Sequence, residues 1–244
     1  DEAIRQWGIE PEFLKPVIKS PRECRSIVIK PEDLKYKIFM CHKDKSELQG
    51  TAALEYIKWG ESQGFHLRPS CRGRQRWWDV GESHVETIAW AMIHADRHNV
   101  HYNEFKVQLD HNFFGVSGST KEHETILAAL CISTLGIFNK ELLGRSYGGG
   151  SGPIKNERID LIKYIFLNPD FFGDEARRAL ASTMKACFRR DIGSVFEELR
   201  QPDRRALDEV VFEVLGLTAG EREAVYEAVI NLVRARLEKA KSVQ

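Results

Sequence analysis

The character of the chain changes after Phe172, and that change constrains the fold more than any single motif. Residues 174–244 are rich in Arg, Glu, Ala and Leu and poor in β-formers, whereas the preceding part mixes β-rich runs with one long helical stretch. Strands followed by helices, rather than strands alternating with helices, are the pattern of an α+β chain whose helices are segregated. The expected architecture is therefore α+β. A mixed or antiparallel sheet domain with a long buried helix occupies residues 1–173, and a small all-helical region follows over 174–244.

The helical region reads as three helices: Asp174 to Phe188, Pro202 to Leu215, and Thr218 to about Ala240. Thr218 with Glu221 three residues later is a capping box. In the first part, Pro11, Pro16 and Pro21 make residues 1–25 an irregular lead-in. SIVIK (26–30), YKIFMCH (36–42), WWDV (77–80), FKVQLD (105–110) and FFGV (113–116) predict strands. TIAWAMI (87–93) fits a strand or a helix. Phe105, Val107 and Leu109 alternate with polar neighbours, as a half-buried strand requires. Thr51 to Gly64 predicts a helix capped by Thr51 and stopped at Gly64. Residues 121–143 predict one buried helix, capped by Thr120 and striped by Ile126, Leu127, Leu130, Leu135 and Phe138.

The 244 residues suffice for one large domain or two small ones, and 42% hydrophobic with 30% charged residues exclude a mostly disordered chain. No apolar run approaches the ~20 residues that span a bilayer, and the acidic start is no signal peptide. No membrane partner is expected. Five scattered cysteines without CxxC spacing predict reduced thiols in a cytoplasmic protein rather than a zinc site. The net charge of +0 argues against a uniformly basic coat for nucleic acid, though not against a local basic groove. The first residue, Asp1, stands in running sequence, as in a piece of a longer protein.

Two segments concentrate donors. Phe65 to Gly81 carries Arg68, Arg72, Arg74 and Arg76 with no acid before Asp79, followed by Trp77 and Trp78. Guanidinium groups grip phosphates or guanine edges, and rings beside them buttress the cations or stack on an extruded base. A solvated basic loop leading into two core tryptophans fits the same residues. The second segment, Gly144 to Lys155, has three consecutive glycines flanked by Arg145, Tyr147 and Lys155. Glycine lets another backbone approach closely. It is no P-loop, since the GK[ST] ending is absent and the helix precedes it. A flexible connection is the alternative.

His94, His98 and His101, with Asp110 and His111, open the alternative of a metal-dependent nuclease, but no HEXXH accompanies them. Asn168-Pro169-Asp170-Phe171 looks like the catalytic [DNS]PP[YF] turn of adenine methyltransferases. Asp170 stands where its second proline belongs, so a chain terminator is the better reading. A third possibility is a protein-interaction module, in which Leu232, Val233 and Leu237 of the tail dock a methylase or nuclease subunit.

Taken in order, LKPVIKSPRE, IVIK, the helix with Leu54-Glu55-Tyr56-Ile57, the arginine loop ending Trp77-Trp78-Asp79, Leu109 to Val116, Glu141 to Arg145, Gly148-Gly149-Gly150 and Leu167-Asn168-Pro169 resemble the C-terminal part of adenine-N6-specific DNA methyltransferases of restriction-modification systems, including the TaqI-like specificity domain. The likeness extends over nearly the whole chain. It implies sequence-specific recognition of double-stranded DNA by residues 1–173, with the terminal helices packed on the body or on a partner. It also implies that S-adenosylmethionine and the catalytic turn belong to a Rossmann-like catalytic methyltransferase domain of the same parent chain, absent from these residues. Carried over, it assigns DNA binding to Arg72, Arg74, Arg76, Trp77, Arg145, Tyr147 and Lys155, with no catalytic, cofactor or metal residue in this chain.

Overall fold

A computed structural model describes residues 6–81, 85–147, 152–164 and 166–242. It is an α+β fold with, among the described residues, three small sheets, all three-stranded. The first sheet has the order β2-β1-β6, from β1 (Leu14–Ile18), β2 (Tyr36–Phe39) and β6 (Gln108–Leu109). The second is β5-β3-β7, from β3 (Ile88–Ala91), β5 (Val100–Tyr102) and β7 (Phe113–Val116). The third is β4-β9-β8, from β4 (Ile93–His94), β8 (Arg145–Ser146) and β9 (Ile154–Lys155). The helices are α1 (Ala52–Ser62), α2 (Lys121–Ile132), α3 (Thr134–Leu143), α4 (Arg158–Leu161), α5 (Asp174–Cys187), α6 (Val195–Glu198), α7 (Pro202–Val214) and α8 (Ala219–Lys241).

Several elements differ from the sequence expectation. The lead-in contains β1, whose Pro16 would be costly in a strand paired on both sides. It is tolerated because β1 meets β2 at Pro16 but meets β6 only from Val17 onward. SIVIK forms isolated bridges at Ser26 and Val28 rather than a strand. In FKVQLD only Gln108–Leu109 is a strand, and Phe105 is exposed. WWDV is not a strand. Trp77 and Trp78 both pack on one small apolar cluster with Ile9, Leu54 and Ile57, which the alternating faces of a strand would forbid.

TIAWAMI resolves as β3 and β4. All four residues of β3 are buried, and the two-residue period divides them between two cores. Ile88 and Trp90 face the main cluster, while Ala89 and Ala91 face a smaller one with Ile18, Ile29 and Val107. A strand buried on both sides explains the unbroken apolar run that left the reading ambiguous.

The long buried helix is two helices, bent by 65°. Ser133 leaves helical geometry at ψ 168, and its hydroxyl donates to the Leu130 carbonyl. The new helix start needs a cap, and Asp208 of α7 supplies it. Its carboxylate accepts the Thr134 backbone N–H at 2.7 Å and the Thr134 hydroxyl at 2.5 Å, and also the Tyr226 hydroxyl of α8 at 3.1 Å. Burial raises the pKa of Asp208, while Arg204 and the bonds from Thr134 and Tyr226 act in the opposite direction. Gly136 completes the bend, since a Cβ there would strike the carbonyls of Leu130 and Cys131.

The three tail helices form close to their expected bounds, with the Thr218–Glu221 capping box intact, and the short α6 was not foreseen. They share the main core with the sheet part: Trp90, Val100 and Leu130 belong to the same cluster as Leu180, Val211, Phe212 and Val233. No single helix among the described residues is long and apolar enough to cross a membrane.

Replacing Asp208 with Ala should destabilise the chain by about 2–4 kcal/mol, because it strands a buried helix N-terminus and two hydroxyls. Urea unfolding of the variant and the wild type checks this.

Candidate nucleic-acid interface

The arginine loop is a series of turns on the end of α1. After the single 3-10 turn Phe65–Leu67, the backbone N–H groups of Cys71 and Arg72 return to the Arg68 carbonyl at 2.8 and 2.9 Å. The Arg68 guanidinium lies 4.2 Å over the Phe65 ring. Trp77 seats its indole on Gly60, where any Cβ would overlap it, and donates to Glu61 Oε1 at 3.0 Å. Arg76 is bound by two carboxylates, Asp79 at 3.0 Å and Asp44 at 3.2 Å. Burial alone would raise the Asp79 pKa, but donors from Gly81, His42 and Arg76 leave it below the ordinary value. Arg76 thus braces the loop. Arg74 gives one donor to the Asp79 carbonyl at 3.0 Å, and Arg72 is exposed with no carboxylate partner among the described residues.

Arg145 and Lys155 are cross-strand partners in the β8–β9 hairpin, and Lys155 is paired in turn with Ile93 of β4. These three side chains share one face, while Ser146, Ile154 and His94 take the other. Lys155 Nζ bonds Glu157 at 2.6 Å and lies 5.9 Å from the Tyr147 ring. Arg145 bonds the buried Asp160 at 2.6 Å through one nitrogen and keeps more than half of its side chain exposed. The three glycines Gly148, Gly149 and Gly150 lie outside the described residues. The seven expected residues therefore form two groups. Trp77 and its loop rest on the small cluster with α1, and Arg145, Tyr147 and Lys155 belong to or flank the β8–β9 hairpin of the third sheet.

A cleft of about 680 Å³ adjoins the hairpin, lined by Arg22, Arg25, Arg97, Asn99, Asn112 and Pro153 among others. Ile93, in the same row as Lys155 and Arg145, also lines it. Arg97 donates to Asn99 at 2.7 Å and to the carbonyls of Pro21 at 3.0 Å and Cys24 at 3.4 Å. Its hydrogen-bond partners among the described residues are all neutral, and no carboxylate there pairs with it. Arg25 meets Asp191 at 3.3 Å, but both side chains are largely exposed and such a pair is weak. Asp96 is the acid within the lining. Arg236 of α8 braces the rim, donating to the carbonyls of Ala95 and Gly152 and pairing with Glu141.

Sequence reasoning missed these arginines. Arg22 and Arg25 stood in the proline-marked lead-in, and Arg97 in the segment inspected for metal ligands. The bonds from Arg97 to the carbonyls of Pro21 and Cys24, 76 and 73 residues away, bring them together.

Residues 1–157 match the family model of the type II methyltransferase M.Eco57I C-terminal domain. The chain belongs to this family. The match takes in the arginine loop, the cleft arginines and the hairpin, and ends just before α4 begins. Among solved structures the chain is similar to the type IIG restriction endonuclease BpuSI, with a TM-score of 0.66 at 13% identity. The superposition covers 98% of this chain and 27% of that one, so this M.Eco57I-type C-terminal domain shares the fold of about a quarter of that protein. No curated protein matches the sequence.

His94, His98 and His101 of this M.Eco57I-type domain are buried in its interior. His98 Nε2 lies 3.0 Å from the Cys131 carbonyl and His101 Nδ1 lies 2.9 Å from the Ser26 carbonyl. Burial pushes His94 and His98 well below the ordinary imidazole value and His101 down to about 4. Among the described residues no three His, Cys, Asp or Glu side chains converge as metal ligands. All five cysteines are free thiols. Beside the histidines, Lys140 is fully buried, with Nζ 4.7 Å from the Trp90 ring centroid and no hydrogen-bond acceptor among the described residues. Burial pushes its ammonium down to about 7.

Between about 7 and the ordinary lysine value of 10.5, the unfolded chain holds a proton that the folded chain has released, so stability rises with pH through that window. His101 adds a lower rise, from about 4 to 6.5. Lys140→Met should remove the upper rise and raise the melting temperature at pH 7 and below, by about 2–4 °C per kcal/mol gained. Melting curves of both proteins across the pH range read this directly.

Proposed function

We propose that this chain reads double-stranded DNA as the non-catalytic C-terminal part of an adenine-N6 methyltransferase of a restriction-modification system. One observation carries the reading: a cleft lined by Arg22, Arg25 and Arg97, in a protein whose formal net charge is +0 and whose family is a type II methyltransferase C-terminal domain. Cations concentrated in one hollow of a neutral molecule favour a phosphate backbone over indiscriminate coating.

In this reading the work divides. Arg22, Arg25, Arg97, Arg72 and Arg74 neutralise phosphates and set position. The β8–β9 hairpin is a two-stranded ribbon of the kind the major groove admits, and Arg145, Tyr147 and Lys155 approach base edges from it. Arg76 and Trp77 build the arginine loop from within. Residues 1–173 make these contacts and residues 174–244 brace them, Arg236 at the cleft rim being the clearest link. The target adenine turns out of the duplex into a catalytic domain of the parent chain, which holds S-adenosylmethionine.

Fluorescence anisotropy against duplex DNA tests the reading. Arg22→Ala, Arg25→Ala and Arg74→Ala should each weaken binding and each lower the slope of affinity against salt by about one. Unchanged affinity in all three at low salt would refute the interface. Calorimetry of this chain with S-adenosylmethionine should show no saturable heat, and saturation near one equivalent would overturn the division of labour.

A further inference from the structure

Six aromatic rings stand half-buried around a second hollow, of about 280 Å³, on the arginine loop: Phe39, Tyr56, Trp59, Phe65, Trp77 and Trp78. Rings of this size are normally closed into a core or spread singly over a surface. Here they are arranged as a floor with walls. Tyr56 and Trp59 stack with 23° between their planes, Phe65 stands at 88° to Trp59, and Trp77 and Trp78 meet at 89°. Gly60 is what allows Trp77 to seat against α1. The Trp78 indole N–H has no acceptor among the described residues. The volume lies just below the usual range for small-molecule sites, enough for one ring system rather than for a helix or an extended peptide.

Charge indicates the occupant. Arg74 lines the hollow, and the exposed Arg68 and Arg72 flank it in sequence, neither with a carboxylate partner among the described residues. An apolar partner side chain or an acyl chain would gain nothing from the Arg74 guanidinium in the lining or from that of Arg68 over the Phe65 ring. A nucleotide carries the matching anion next to a flat ring. We propose that this hollow takes a single unstacked nucleobase of the bound DNA, stacked among the tryptophans, with its flanking phosphates held by Arg68, Arg72 and Arg74. The proposal rests on the DNA-recognition reading and deepens it: the arginine loop grips a base face as well as the backbone. Stacking of this kind tolerates any base, because each has a π-face.

The test compares oligothymidylate with an abasic phosphodiester strand of the same length and charge, binding the 244-residue chain at low salt. The base-bearing strand should bind roughly tenfold more tightly and quench tryptophan fluorescence. Trp78→Ala and, separately, Trp59→Ala should abolish the preference, with melting curves confirming that each variant is folded. If both variants melt like the wild type yet keep the preference, the base sits elsewhere and the assignment falls. A wild-type chain that binds duplex DNA but holds the abasic strand as tightly as oligothymidylate overturns the pocket and leaves the recognition reading standing. A chain that binds none of the three removes both.

Discussion

The structure depends on one buried carboxylate. Asp208 lies on α7, caps the start of α3 through Thr134 and receives the Tyr226 hydroxyl from α8. A buried acid is costly unless its oxygens are satisfied, and here three donors from two other helices satisfy it. The arrangement fixes where the apolar stretch 121–143 bends, and so where α3 delivers the chain into the β8–β9 hairpin. It also fixes α8, whose far end carries Arg236 to the carbonyls of Ala95 and Gly152 at the cleft. A contact in the middle of the helical region thereby sets the geometry of a surface formed by other parts of the chain.

Around this frame the cations are divided between structure and surface. Arg76 is consumed by Asp44 and Asp79, and Arg190 and Arg204 by Glu198 and Asp203 in the tail. Lys155 and, through one nitrogen, Arg145 are partly offset. Arg97 differs because carbonyls and an amide orient it without cancelling its charge. A guanidinium held by neutral acceptors is a pre-aligned cation, which is what a phosphate site requires. Counting basic residues along the sequence does not separate these cases, since each outcome is decided by which acceptor lies within reach.

What the sequence disclosed follows the range of the interactions. Helices announced by local caps appear where expected, with Thr51, Thr120 and Thr218 each accepting a backbone N–H in the first turn. Features decided at a distance stayed hidden. Ser133 and Thr134 look like ordinary interruptions of an apolar stripe until Asp208, 74 residues away, caps the new helix. Trp77 and Trp78 suggest a strand until the cluster around Leu54 and Ile57 draws both to one side. His94, His98 and His101 suggest ligands until burial makes them neutral partners of carbonyls and rings. Of the candidate interface, the arginine loop and the hairpin were visible as local concentrations of donors. The cleft was not, because Arg22 and Arg97 become neighbours only through tertiary contact.

The core that crosses residue 173 has a consequence for evolution and engineering. Trp90 and Leu130 from one side of that point pack in one buried cluster with Leu180, Val211 and Val233 from the other. Chimeras that exchange the first part between relatives while keeping a foreign tail would juxtapose two half-cores that were never fitted to each other. Variants that keep the fold should therefore arise by point changes on the loops, or by transplanting the whole body intact, rather than by recombination at the compositional seam.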